Sequence, residues 1–147
     1  MDKKFQEYKG LDLSQVNKDV LKEWESNNTF EQSLKNREGH PSFVFFEGPP
    51  SANGMPGIHH VMARTIKDII CRLQGFLVER KAGWDTHGLP VELGVEKKLG
   101  ITKENIGKTI SVADYNKECR SDVMKFTREW EDLTNKMGYW VEMSNPY

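Results

Sequence analysis

The strongest constraint on the fold is an abrupt change of pattern at residue 48. Ser42-Phe43-Val44-Phe45-Phe46-Glu47 is short, aromatic and β-branched, the composition of a buried strand. Gly48-Pro49-Pro50 stops it, because proline donates no ladder hydrogen bond. A loop from Ser51 to Gly57 follows. Then Ile58, Met62, Ile66, Ile69 and Ile70 recur at helical spacing, which predicts a helix over 58–72. Phe76-Leu77-Val78 opens a second strand that ends near Gly83-Trp84. The loop Asp85-Thr86-His87-Gly88-Leu89-Pro90 then leads into a helix from about Val91. Strand, crossover helix and strand predict a right-handed parallel βαβ unit, with 42–47 and 76–81 as adjacent strands. Both loops then lie at the carboxyl ends of neighbouring strands, where open α/β sheets bind ligands.

The flanks read as helical. Residues 1–40 form a lead-in: Ser14 is placed to N-cap a helix carrying Val16, Val20, Leu21 and Trp24. Thr29 and Gln32 form a capping-box pattern for a second, broken by Gly39-His40-Pro41. Towards the other end, Tyr115, Cys119, Val123, Phe126, Trp130, Leu133 and Met137 step by four or three. They predict one long helix from Ser111 with a core-facing stripe, its interleaved charges forming the solvated face. The expected division is a helical extension over 1–40 and an α/β domain over 41–147.

Composition narrows the class. The 147 residues are enough for one core, and 29% charged with 37% hydrophobic residues is globular rather than disordered. A net charge of -1 argues against a dedicated nucleic-acid binder. The absence of a long apolar run predicts no membrane span, and Met1-Asp2-Lys3-Lys4-Phe5 begins no signal peptide. Cys71 and Cys119 match no metal spacing and are expected as buried thiols in a cytosolic protein. The end at Ser144-Asn145-Pro146-Tyr147, just after an apolar stretch, suggests an excised piece.

Two loops carry the candidate chemistry. In the first, Gly54 and Gly57 let a ligand approach the backbone. The helix after it offers free N–H groups and the positive end of its dipole, with His59 and His60 in its first turn and Arg64 and Lys67 beyond. This suits a polyphosphate, yet it is neither a P-loop nor a Gly-x-Gly-x-x-Gly fingerprint. The two histidines alone read equally well as helix caps, and nothing completes a metal site around them. In the second loop, Asp85 could receive a substrate ammonium or simply cap its own turn.

Taken together, Pro49-Pro50-Ser51-Ala52-Asn53-Gly54-Met55-Pro56 and Gly83-Trp84-Asp85-Thr86-His87-Gly88-Leu89-Pro90-Val91-Glu92 resemble the paired motifs of the class I aminoacyl-tRNA synthetases. The Thr-His pair is similar to the isoleucine-specific branch. Glu129-Trp130 and Met137-Gly138-Tyr139-Trp140 also fit, so the resemblance runs from about Leu13 to Tyr147.

The resemblance implies the amino-terminal half of a Rossmann-like parallel sheet, ending about where an editing insertion would begin. It implies an ATP-dependent ligase that uses ATP with Mg²⁺, isoleucine and tRNA(Ile), monomeric and cytoplasmic. By position, Gly48, Pro49, Pro50 and Asp85 would form the amino-acid side. Asn53, Gly54, Gly57, His59 and His60 would form the ATP side, with His60 catalytic. The chain shows no Lys-Met-Ser-Lys-Ser-like second ATP motif and no anticodon-binding region, so alone it is expected to be inactive.

There are two departures from the family pattern. Gly57-Ile58-His59-His60 stands where the family has His-x-Gly-His, so only His60 aligns. His59, turned about 100° from it, is expected off its face, pointing away or stacking on the base. Arg72-Leu73-Gln74-Gly75 is also a few residues short. A valine- or leucine-specific relative and a non-catalytic nucleotide-binding half-fold remain the alternatives.

Overall fold

The computed structural model describes residues 10–147. The first nine residues of the predicted lead-in lie outside the described residues. Between Glu38 and Gly39 the chain divides into two compact units.

The first unit holds helices α1 (Leu13–Ser26) and α2 (Thr29–Lys35), which pack on each other. The cap of α1 is Asp12 rather than Ser14: its carboxylate accepts the Gln15 N–H at 3.0 Å. Thr29 is likewise the first helical residue of α2 rather than its cap. Asn28 precedes it in the left-handed region, at φ 48°, and its side chain makes no cap bond.

The second unit contains α3 (Ile58–Leu73), α4 (Leu89–Leu99), a 3₁₀ turn (Lys103–Asn105), α5 (Val112–Asp122) and α6 (Thr127–Lys136). α3 keeps its predicted register. α4 starts two residues earlier than expected, because Pro90 fits a first helical turn and Gly88, at φ 89°, takes the chain into it.

The predicted strands do not form a ladder. Residues 42–51 and 77–85 run parallel, but they pair only at isolated bridges, Ser42 with Leu77 and Ser51 with Asp85. Phe43 N–H donates to Leu77 O at 3.0 Å and Asp85 N–H to Pro50 O at 3.0 Å. Between these points Val44, Phe45 and Phe46 are 69%, 57% and 91% exposed, so the segment expected to be buried is bare. A parallel strand needs both faces covered, and nothing in this unit covers this one.

A third segment, absent from the sequence reading, runs parallel on the other side. Glu142 N–H donates to Arg80 O at 2.7 Å, and Trp84 N–H donates to Tyr147 O at 3.0 Å.

The predicted long helix is broken. α5 ends at Asp122, and the chain turns before α6 begins at Thr127. At the break, Phe126 N–H leaves the helical ladder and donates to Ala52 O at 2.8 Å. The side-chain period survives the break because Val123 and Trp130 remain in the core with Val91, Val95, Tyr115 and Ala52. Cys71 and Cys119 are free thiols, half-buried rather than buried. Among the described residues no helix is long and apolar enough to cross a membrane.

Candidate functional site

The two motif loops are tied to each other directly. Ser51 Oγ donates to Asp85 Oδ2 at 3.1 Å, and Asn53 Nδ2 donates to the Pro90 carbonyl at 3.0 Å. His87 N–H donates to Asp85 Oδ1 at 3.3 Å, so Asp85 also braces its own turn. Its carboxylate is half-buried and has a partner on each oxygen.

At the start of α3, Gly57 N–H donates to His60 Nδ1 at 2.9 Å, while His60 N–H donates to Gly57 O at 3.0 Å. The imidazole makes the back-bonding half of a capping box; Gly57 has no side chain for the other half, and its backbone carbonyl takes the His60 N–H instead. Because Nδ1 accepts, the proton of the neutral ring sits on Nε2, which remains available as a donor.

Burial holds His60 below the ordinary histidine pKa, helped by the neighbouring His59 and Arg64. The two rings were expected on different faces, yet their centroids are 3.8 Å apart. The α-carbons are turned about 100° from each other, but the side chains lean together. A Cβ at Gly57 would stand 3.0 Å from His59 Cε1, so glycine there gives the His59 ring its place.

The first loop is also held from behind by α6. Trp130, 2% exposed, donates its Nε1–H to Gly54 O at 2.8 Å. The His60 ring meets the indole edge-on at 4.6 Å, and the Arg64 guanidinium lies 4.8 Å above it. Arg64 also donates to Thr134 Oγ1 at 2.8 Å.

A cleft of about 870 Å³ opens between the 42–50 segment, α3, residues 77–84 and the chain after Tyr139. Of the predicted site residues, Gly48, Pro49, Pro50 and His60 line it. Asn53, Gly54, Gly57, His59 and Asp85 do not; the loop bonds above hold Asn53, Gly54 and Asp85 beside it. Arg64, Lys67, Arg80, Trp130 and Tyr139 also line the cleft. The sequence reading places Arg64 and Lys67 in the phosphate-binding combination of α3 but gives no site role to Arg80, Trp130 or Tyr139. Burial lowers the pKa values of Arg64, Lys67 and Arg80. Lys67 is paired with Glu47 and Arg80 with Asp68, which also line the cleft, so it has a side of mixed charge facing an apolar one. Among the described residues no group of three His, Cys, Asp or Glu could hold a metal ion.

Known proteins match both loops. A family model described as tRNA synthetases class I (I, L, M and V) matches residues 19–147. An isoleucine--tRNA ligase of Bacteroides fragilis is 75% identical over 150 aligned residues, covering 100% of this chain and 13% of that protein. An isoleucine--tRNA ligase of Porphyromonas gingivalis is 72% identical with the same coverage. An isoleucine--tRNA ligase 2 of Bacillus anthracis is 50% identical over 131 residues, 87% of this chain and 13% of the relative. The chain therefore spans about an eighth of the length of the curated relatives it matches. The first alignment is three positions longer than the chain (150 − 147).

Proposed function

This chain belongs to the class I tRNA synthetases, and from that premise we propose that it supplies one half of the amino-acid activation site of an isoleucine–tRNA ligase. In the whole protein, an isoleucine carboxylate oxygen attacks the α-phosphorus of ATP and pyrophosphate leaves. A hydroxyl at the 3′ end of tRNA(Ile) then takes the isoleucyl group from the adenylate, and AMP leaves. The rest of a Rossmann-like sheet, the second ATP motif and the tRNA-binding regions lie in the longer polypeptide, which is a cytoplasmic monomer.

The side chains act here by positioning and electrostatics. Pro49 and Pro50 wall the isoleucine side chain, with Gly48 leaving room at the backbone. The Asp85 carboxylate receives the ammonium. His60 offers its Nε2–H to phosphate, with the N-terminus of α3 behind it. Asn53, Gly54, Gly57 and His59 form the nucleotide edge, the last stacking beside the base. Mg²⁺ would accompany ATP as part of the substrate. Bound there, it neutralises phosphate charge.

The observation that carries this reading is the coupling of the two loops. Asp85 is bonded to Ser51 through its side chain and to Pro50 through its backbone, which supports reading the two loops as one frame. The identities to isoleucine enzymes favour that amino acid over valine or leucine.

The test is Asp85→Asn in the full-length protein. Loss of a charge-assisted bond costs about 1.5–3 kcal/mol, so the KM for isoleucine should rise at least about tenfold while that for ATP barely moves. Equal rises for both substrates would reduce Asp85 to a turn brace.

A further inference from the structure

Trp130 lies outside both motif loops, yet it touches both the first loop, at Gly54, and the His60 ring. The side chains of Ser51 and Asn53 tie the first loop to the second, and its carbonyls are held from elsewhere. The 126–130 segment holds two of them: Phe126 N–H donates to Ala52 O at 2.8 Å, and Trp130 Nε1–H donates to Gly54 O at 2.8 Å. The break between α5 and α6 is what frees the Phe126 amide for that role.

The same indole fixes the plane of the His60 ring. Gly57 N–H on Nδ1 sets one in-plane direction, and the edge-on contact with Trp130 at 4.6 Å and 69° restricts rotation about it. The indole is itself braced. Thr134 Oγ1 donates to Trp130 O at 2.7 Å, and that hydroxyl also receives Arg64, whose guanidinium covers the indole face.

We propose that Trp130 is a positioning residue for adenylate formation, locking the 51–54 turn and the His60 ring into one geometry so that Nε2–H faces the phosphate. The proposal rests on the reading of His60 as the phosphate donor. A small misplacement of a catalytic group costs up to about 10²-fold in rate, so a buried brace of this kind acts on turnover rather than on ground-state binding.

The experiment uses the full-length protein with two changes at this position. Trp130→Phe keeps a ring and removes the N–H. Replacing Trp130 by benzothienylalanine keeps the indole shape and removes only the N–H, so folding is preserved. The readouts are isoleucine-dependent ATP–pyrophosphate exchange, transfer from preformed isoleucyl-adenylate to tRNA, and the imidazole ¹⁵N signals of His60.

We expect kcat for exchange to fall about tenfold, KM for isoleucine to stay within about twofold, and transfer from the preformed adenylate to be unchanged. The His60 ¹⁵N signals should broaden. Trp130→Phe should slow the His60→Ala protein by a smaller factor than it slows the unsubstituted one, because part of the brace acts through that ring.

Exchange at the unsubstituted rate in the benzothienylalanine protein would overturn the proposal. So would a parallel fall of every rate with the concentration of titratable active sites, which marks a merely structural residue. A slow His60→Ala beside a fast Trp130→Phe refutes the brace alone. A fast His60→Ala refutes the phosphate role on which the brace depends.

Discussion

Asp68 offers the sharpest test of what holds the cleft open. It lies on α3, 8% exposed, with Arg80 Nη1 2.7 Å from Oδ1 and Arg72 bonded to Oδ2. Arg80 also donates to Trp140 O at 3.2 Å, and the Arg72 guanidinium stacks on the Trp140 ring at 3.7 Å. One carboxylate thus fastens α3 to the residue-80 segment and to residues 138–140.

Burial pulls the Arg80 guanidinium below its ordinary range, and Asp68 opposes that pull. Asp68→Asn keeps the shape and one acceptor but removes the charge and turns an NH₂ towards a guanidinium. Removing one partner of a buried ion pair costs about 3–5 kcal/mol. The partial exposure of Arg72 and the acceptor that remains place this case near about 3 kcal/mol.

Hydrogen exchange in the full-length protein reads the effect locally, where a global melt of so long a chain would not be two-state. Amides in 62–73 and 138–142 should exchange about 10²-fold faster. Replacing all three charged residues (Asp68→Leu, Arg72→Leu, Arg80→Met) should recover most of the protection, because an apolar substitute removes the desolvation cost with the charges. Unchanged exchange in Asp68→Asn would refute the reasoning. So would a triple variant no better than the single one.

Three further outcomes follow from the site. His60→Ala should slow ATP–pyrophosphate exchange about 100-fold, the scale of one lost transition-state donor, while His59→Gly, which restores the family's glycine, should cost little; equal damage would make His59 the phosphate ligand. The isolated 147-residue chain should charge no tRNA in an aminoacylation assay, because groups that act as a unit do not give partial activity in isolation; charging by the purified chain would refute this. The lowered pKa of His60 means the unfolded chain takes up a proton before the folded one, so its stabilisation is complete above pH 6.5 and is lost as pH falls through the folded value; exchange of the 57–61 amides should therefore quicken on acidification after correction for intrinsic rates, and a flat profile would contradict it.

The parts legible in the sequence are those set by local chemistry. The apolar period placed α3 within one residue at its far end, and α4 was placed two residues late because Leu89 and Pro90 read as loop. Asp12 took the cap expected of Ser14 because either residue type can cap and only the chain path decides. The break between α5 and α6 was invisible for a different reason. The side-chain stripe is continuous across it, and what interrupts the helix is a backbone amide drawn to a carbonyl 74 positions away (126 − 52). Hydrophobic periodicity reports faces and carries no information about such a bond. The His59–His60 contact escaped similarly, since the helical angle constrains α-carbons and leaves χ angles free to bring two rings together.

The missing ladder has a more general cause. Residues 42–47 have strand composition, but composition states only that a segment suits a buried pleat. In this unit Phe45 and Phe46 face outward, so the pairing has no burial to support it and survives at its two ends. At the Ser42 end the backbone bonds are joined by the Phe43–Phe76 ring contact at 6.0 Å and by His40 Nδ1 on the Gly75 carbonyl at 3.0 Å. At the Ser51 end the pairing carries the Ser51–Asp85 side-chain bond, and the same loop is held by Asn53 to Pro90, by Phe126 to Ala52 and by Trp130 to Gly54. Four independent tethers on 51–54 need no sheet to stand. The frame around the candidate site is therefore specified by polar contacts between loops and α6, and a strand added along 42–47 would bury Phe45 and Phe46 without having to rebuild it.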